Sequence, residues 1–193
     1  MMSKILYVLD NNKNSKYNYD IDEDTIIYHY SINSSSVINV NLVKEDIRLD
    51  YYFNTINYDD NKYSININHK CNNTHSEVYN HGINMNKNIL TFDVCGIVPK
   101  KYSKCICNQD NQIINMDNGK STILPKLLID NYDVDSNHSA YIGKFKDEYL
   151  FYLMSRGISR ENSYRLLLEG FLINSDSIEK DKIKDFIDEI NRI

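Results

Sequence analysis

The sequence predicts a mainly β chain, coiled as a solenoid, followed by a small C-terminal α-helical domain. Two patterns carry this expectation. Up to Gly143, Asn/Asp clusters alternate with short β-branched and aromatic runs: TIIYHYSI (25–32), SSVINVNLV (35–43), YSININH (63–69), NILTFDVCGIV (88–98) and STILPKLLID (121–130). Each run has the residue bias of a strand. After Gly143 the apolar residues recur at helical spacing instead. The expected division is 1–143 for the β-core and 144–193 for the helical domain.

Glycine bears on how the strands are joined. Gly82, Gly96 and Gly119 are the only glycines before Gly143, too few for a series of two-residue hairpins, which need positive φ at their centres. Asparagine can supply left-handed corners, because its short side chain bonds locally. A solenoid turns on such looser corners, so the composition fits a coiled β-structure better than a meander. No exact repeat is visible.

The length of 193 residues suits one domain with an appendage and a sizeable core. The net charge of −5 is spread along the chain, which argues against nucleic-acid binding, since that needs a basic footprint. No stretch reaches the apolar length of a membrane span. MMSKILYVLDNN has one Lys and a very short apolar run, too little for a secretory signal. The expected location is therefore the cytoplasm, where Cys71, Cys95, Cys105 and Cys107 are read as thiols. The excess of Asn, Ile, Lys and Tyr reads as the drift of an AT-rich genome, so single Asn or Tyr residues carry little functional weight.

In the tail, KDEYLFYLMSR places Tyr149, Leu150, Leu153 and Met154 on one helical stripe, with Asp147 and Glu148 in the first turn. Gly157 is expected in the left-handed conformation that closes a helix. Ser159 then caps a second helix with Leu166, Leu167 and Phe171 on its buried side. Asp176 and Glu179 form a capping-box spacing for a third helix, whose seam is Ile183, Phe186, Ile187 and Ile190.

Candidate chemistry is sparse. Cys105 and Cys107 would share one face of a strand, which allows a paired thiolate site, although the spacing matches no standard zinc or ferredoxin pattern. Small buried residues filling the core are the simpler reading. His69, Cys71 and His75 form a second cluster, with His69 and Cys71 on one strand face and His75 in a turn past Asn72, Asn73 and Thr74. DNGKST (117–122) lacks the first glycine and the spacing of a phosphate-binding loop, and no GxSxG elbow occurs. The chain is therefore not expected to be an enzyme.

The tail is more specific than its periodicity. KFKDEYLFYLMSRGISREN (144–162), continuing to LLLEGF (166–171), resembles the C-terminal signature of the SufB/SufD family, scaffold components of the SUF iron–sulfur cluster assembly machinery. NHKCNNTHSEVYNHGI (68–83) and PKLLIDNYDVDSNHSAYIGK (125–144) extend the resemblance upstream. The helical N-terminal region of family members has no counterpart in this sequence, which resembles a short, divergent relative.

The resemblance implies a right-handed parallel β-helix followed by helices that dock a SufC-type ABC ATPase, around Leu150, Phe151, Arg156, Gly157 and Phe171. It implies pairing with a SufB-type scaffold or a second copy of the chain. His138 matches the SufD-type histidine linked to the nascent cluster. Ser139 stands where SufB-like chains carry glutamate, and no cysteine lies between Cys107 and His138, so the chain is SufD-like and is not expected to assemble a cluster alone. No tightly bound cofactor is implied, only a transient iron–sulfur cluster at a subunit interface. His75 matches a family histidine too, which favours a structural or interface role over metal binding. Three rivals stay open: a tail that only caps the solenoid, a solenoid interaction module without the cluster role, and a metal enzyme using His69, Cys71 and His75.

Overall fold

A computed structural model describes residues 3–116, 118–173 and 179–193. The strands follow one another as β1 (Lys4–Asp10), β2 (Ser15–Ile21), β3 (Thr25–Ile32), β4 (Ser36–Leu42), β5 (Arg48–Asn57), β6 (Asn61–His69), β7 (His75–Asn84), β8 (Ile89–Val98), β9 (Cys105–Asn115), β10 (Lys120–Ile129) and β11 (Val134–Gly143). Odd-numbered strands form one sheet in the order β1-β3-β5-β7-β9-β11, and even-numbered strands form a second in the order β10-β8-β6-β4-β2. All pairs are parallel. The chain crosses to the other sheet after each strand and returns one position further on. This is the expected β-solenoid.

The corners turn on asparagine, as its left-handed tolerance predicts. Positive φ occurs at Asn14, Asn33, Asp46, Asn73, Asn86 and Lys104, and among glycines only at Gly157. Asparagine also spans coils. Asn57 Nδ2 donates to Asn84 Oδ1 at 2.8 Å, and Asn84 Nδ2 to Asn115 Oδ1 at 3.1 Å. All three occupy one row of the register, so the buried amides of Asn57 and Asn84 find partners on the next coil. The first step spans 27 residues and the second 31. The coil length changes, which explains why no exact repeat is visible in the sequence.

Both faces of the odd-strand sheet are covered. Its inner side chains, among them Ile27, Leu49 and Phe53, pack against Ile38, Val40, Tyr63, Ile65, Phe92 and Val94 of the even-strand sheet. Its outer Tyr30, Ile56, Ile83 and Ile114 pack under the C-terminal helices. A strand buried on both faces reads as a near-continuous apolar run, as TIIYHYSI does. The even-strand sheet has its outer face in water, so β6 alternates strictly, with Tyr63, Ile65, Ile67 and His69 turned in.

The helices are α1 (Asp147–Ser155), α2 (Arg160–Leu172) and α3 (Lys184–Ile190), the last preceded by a 3₁₀ turn at Lys180–Ile183. Ile183, Phe186 and Ile190 are buried with Leu168 and Leu172 in the core shared with the odd-strand sheet. Each such side chain contributes about 1.5–3 kcal/mol by leaving water. The burial of α2 differs from expectation. Leu168 and Leu172 face the sheet, whereas Leu166 is 44% exposed, because three consecutive leucines carry no phase of their own. Asp176, one half of the expected capping box, lies outside the described residues. Among the described residues, no helix is long and apolar enough to cross a membrane.

Candidate functional site

His138 lies on β11, the edge strand of its sheet. The register places it in one row with Gln109, Val78, Tyr51 and Ile27. Those four side chains are buried in the interior, whereas His138 is exposed. The histidine therefore belongs to an interior row and meets solvent because it sits on the last coil. The same holds across the lumen. On β10, Ile123 and Pro125 are only half-buried, while their partners Phe92 and Val94 on β8 are fully buried. The end of the solenoid is an open, largely apolar surface with one imidazole in it. A neutral imidazole there can ligate a metal.

The sequence between α1 and α2 fixes a tight corner. The Gly157 N–H donates to the Met154 carbonyl at 3.0 Å, and the Ile158 N–H to Leu153 at 3.4 Å. Together with the φ of +84° at Gly157, these close α1 in a Schellman motif. Two residues later Ser159 Oγ accepts from the Asn162 N–H at 3.2 Å and caps α2.

This corner sorts the docking candidates. Leu150 turns inward and is 6% exposed, whereas Phe151 is 70% and Tyr152 58% exposed. The Arg156 guanidinium lies 5.2 Å from the Tyr152 ring centroid. Tyr149 and Met154, expected on one stripe with Leu150, are also exposed. Helix α1 thus leaves a mainly aromatic face in water. Phe171 is half-buried in the core beneath α2.

The histidine–cysteine cluster proposed from spacing is not assembled. His69 ends β6 and is fully buried, with Nδ1 2.7 Å from Thr74 Oγ1 and Nε2 3.0 Å from Ser76 Oγ. Burial lowers its pKa to about 4, with His75 adding to the shift. Cys71 lies in the turn after β6 and not on the strand face expected. His75 opens β7 and is not in a turn; its ring meets Glu77 at 2.7 Å and Arg48 at 3.0 Å. Cys105 and Cys107 are both buried on β9, and burial pushes the Cys107 thiol up to about 11. That opposes the thiolate a metal needs. Among the described residues, no three His, Cys, Asp or Glu side chains are grouped so as to hold a metal.

One polar connection escapes the sequence altogether. His81 on β7 contacts Phe171, and its Nε2 lies 3.9 Å from Asp110 Oδ2. Asp110 also accepts from Ser139 Oγ, beside His138. Histidine and phenylalanine here are 90 residues apart, and no local pattern signals the contact.

The family model for the SUF system FeS cluster assembly SufBD core domain matches residues 35–171, well over half of the chain. The chain belongs to the SufBD family. The matched SufBD core begins in the corner before β4 and runs through the open coil to Phe171, within the last turn of α2, so it starts earlier than the motifs from Asn68 onward suggest.

Relatives within the family agree. The chain is 32% identical over 96 residues to the iron–sulfur cluster assembly protein SufD of Bacillus subtilis, a stretch covering 49% of this chain and 22% of that protein. It is 43% identical over 61 residues to a SufBD family protein of Pyrococcus horikoshii, covering 32% and 13%. A SufBD family protein of Staphylococcus haemolyticus is 28% identical over 126 residues, covering 65% and 26%. The aligned part spans about a quarter or less of each relative.

Proposed function

We propose that the chain is a non-catalytic, SufD-like scaffold subunit of iron–sulfur cluster assembly. The match to the SufBD core over residues 35–171 carries this reading, since it takes in the open coil and both α1 and α2. The outer face of α1, with Phe151 and Tyr152, is the surface that meets a SufC-type ABC ATPase. Aromatic side chains of this kind supply large contact areas at low entropic cost. Leu150, Gly157 and Phe171 act behind that surface: Leu150 packs inward, Gly157 closes the corner, and Phe171 seats α2. Arg156 stands on the exposed side beside Tyr152.

The open coil is the surface that pairs with a SufB-type scaffold or a second copy. Among the described residues no further strand pairs with the outer edges of β10 and β11, and these edges and the apolar lumen rows invite such a cover. His138 would then lie at the subunit interface, where an imidazole can share a transient cluster with ligands from the other subunit. The cluster is cargo of the assembly and not a resident cofactor of this chain.

Co-expression with a SufC-type ATPase and a SufB-type scaffold, followed by light scattering, tests the reading. A complex of defined stoichiometry containing this chain is expected. Three folded proteins that elute separately would contradict it.

A further inference from the structure

The helices do not close completely on the sheet. Between the outer face of β9 and β11 and the start of α1 lies a cavity of about 500 Å³, within the range of small-molecule sites. Its walls are aromatic. Phe145 and Phe171 stand edge-to-face with centroids 6.1 Å apart, and Tyr141 and Tyr149 complete the lining on the solvent side.

One fixed charge is set into this lining. Asp110 accepts from Ser139 Oγ and, at 2.8 Å, from Gln112 Nε2, and all three residues line the cavity. The His81 imidazole behind Asp110, with these two donors, holds its carboxyl down to about 2. Among the described lining residues, Asp110 is the only acid.

We propose that this cavity binds a primary ammonium group carried on an apolar or aromatic body, with the Asp110 carboxylate as its counter-ion. An ionised carboxylate beside aromatic faces is the combination that recognises organic cations, through charge pairing and the negative faces of the rings. A neutral apolar occupant would strip water from the carboxylate without replacing it, which is costly. Lys144 and Lys146 also reach the lining and would suit an anion, but both are exposed, and Lys146 Nζ lies 3.6 Å from Glu148. Their flexible stems can withdraw into water, whereas Asp110 is held in place by its donors. The fixed charge decides the sign of the ligand. A free amine and the lysine side chain of a protein partner present the same group. The assignment is independent of the docking role proposed above.

Phenylethylammonium chloride titrated into the full chain, followed by calorimetry and NMR, tests the assignment. Phenylethanol serves as the neutral isostere, and acetyl-lysine methylamide represents a lysine within a polypeptide. Binding of an ammonium compound in the millimolar range or tighter is expected, with Phe145, Tyr149 and Phe171 resonances shifting. Phenylethanol, and either ammonium compound with Asp110→Asn, should bind at least about tenfold more weakly, the typical loss for a hydrogen bond to a charged group. Binding of the lysine compound alone assigns the site to a partner's side chain, and binding of phenylethylammonium assigns it to free amines; both uphold the chemistry. No shift with either compound, equal binding of phenylethanol, or undiminished binding by Asp110→Asn would overturn it. Tyr149→Ala, at an exposed position, is the second variant should Asp110→Asn fail to fold. It too should weaken binding, and wild-type affinity would count against the site.

Discussion

The imidazole of His81 lies flat on the ring of Phe171, with centroids 4.6 Å apart and planes 13° from parallel. Its Nδ1 is 2.9 Å from the Phe171 carbonyl, and a carbonyl only accepts, so Nδ1 carries the donating hydrogen. Ring contact and hydrogen bond together fasten the last turn of α2 to β7. Replacing His81 with Ala should cost about 1–3 kcal/mol and let that turn fray. Urea unfolding with amide exchange over 165–172 measures both effects. A wild-type midpoint with unchanged protection would show that the contact contributes nothing.

The asparagine rows differ in their surroundings, and their loss should differ in size. Asn84 is fully buried and bonded to both Asn57 and Asn115. Asn84→Leu takes one partner from the buried Asn57 and one from the half-buried Asn115, a loss of about 2–4 kcal/mol. Asn66, which donates to Asn39 on the water-facing side of the other sheet at 3.1 Å, should cost under about 1 kcal/mol on change to Ala. Equal shifts in the two unfolding midpoints would contradict this ranking.

Much of the solenoid is legible in the chain, because the strand runs and the asparagine corners are local signals. TIIYHYSI coincides with β3, and the left-handed Gly157 and the Ser159 cap sit where their residue types place them. What stays hidden is long-range. The buried asparagines look like compositional drift until the register aligns them, and unequal coils conceal the period. The interior row of His138 cannot be read from its exposed neighbours Asn137 and Ser139. The inward face of α2 is undetermined by Leu166–Leu167–Leu168, since only the sheet beneath selects Leu168.

Two interior histidines make folding pH-dependent. Burial lowers the pKa of His29 and of His69 to about 4, from 6.5. Between these values the unfolded chain binds more protons than the folded one, so stability falls as pH drops from 6.5 toward 4. Each ring can account for up to about 3 kcal/mol. The low carboxyls of Asp93 and Asp110 lose their contributions only below 3.8, beneath this window. His69→Gln should flatten the slope of urea midpoint against pH over the window. An unaltered slope would rule out its share.

Thiol reactivity should follow burial. Cys71 is half-buried in a turn, while Cys105 and Cys107 are sealed in the interior and burial raises the Cys107 thiol to about 11. Maleimide labelling of the folded chain should modify Cys71 first and leave Cys105 and Cys107 untouched until urea unfolds the solenoid. Mass spectrometry reads the order directly. Early modification of Cys107 would mean that its coil opens in the native state.

Phe151 is the most exposed large apolar residue on α1, in the middle of the proposed docking surface. The direct measurement is the affinity of a SufC-type ATPase for the wild-type chain and for Phe151→Asp, with circular dichroism confirming that both fold. The exposed substitution should change stability by no more than about 0.5 kcal/mol, yet weaken binding at least about a hundredfold, as expected for a buried aromatic contact in an interface. Unchanged affinity in a folded Phe151→Asp chain would place the docking surface elsewhere.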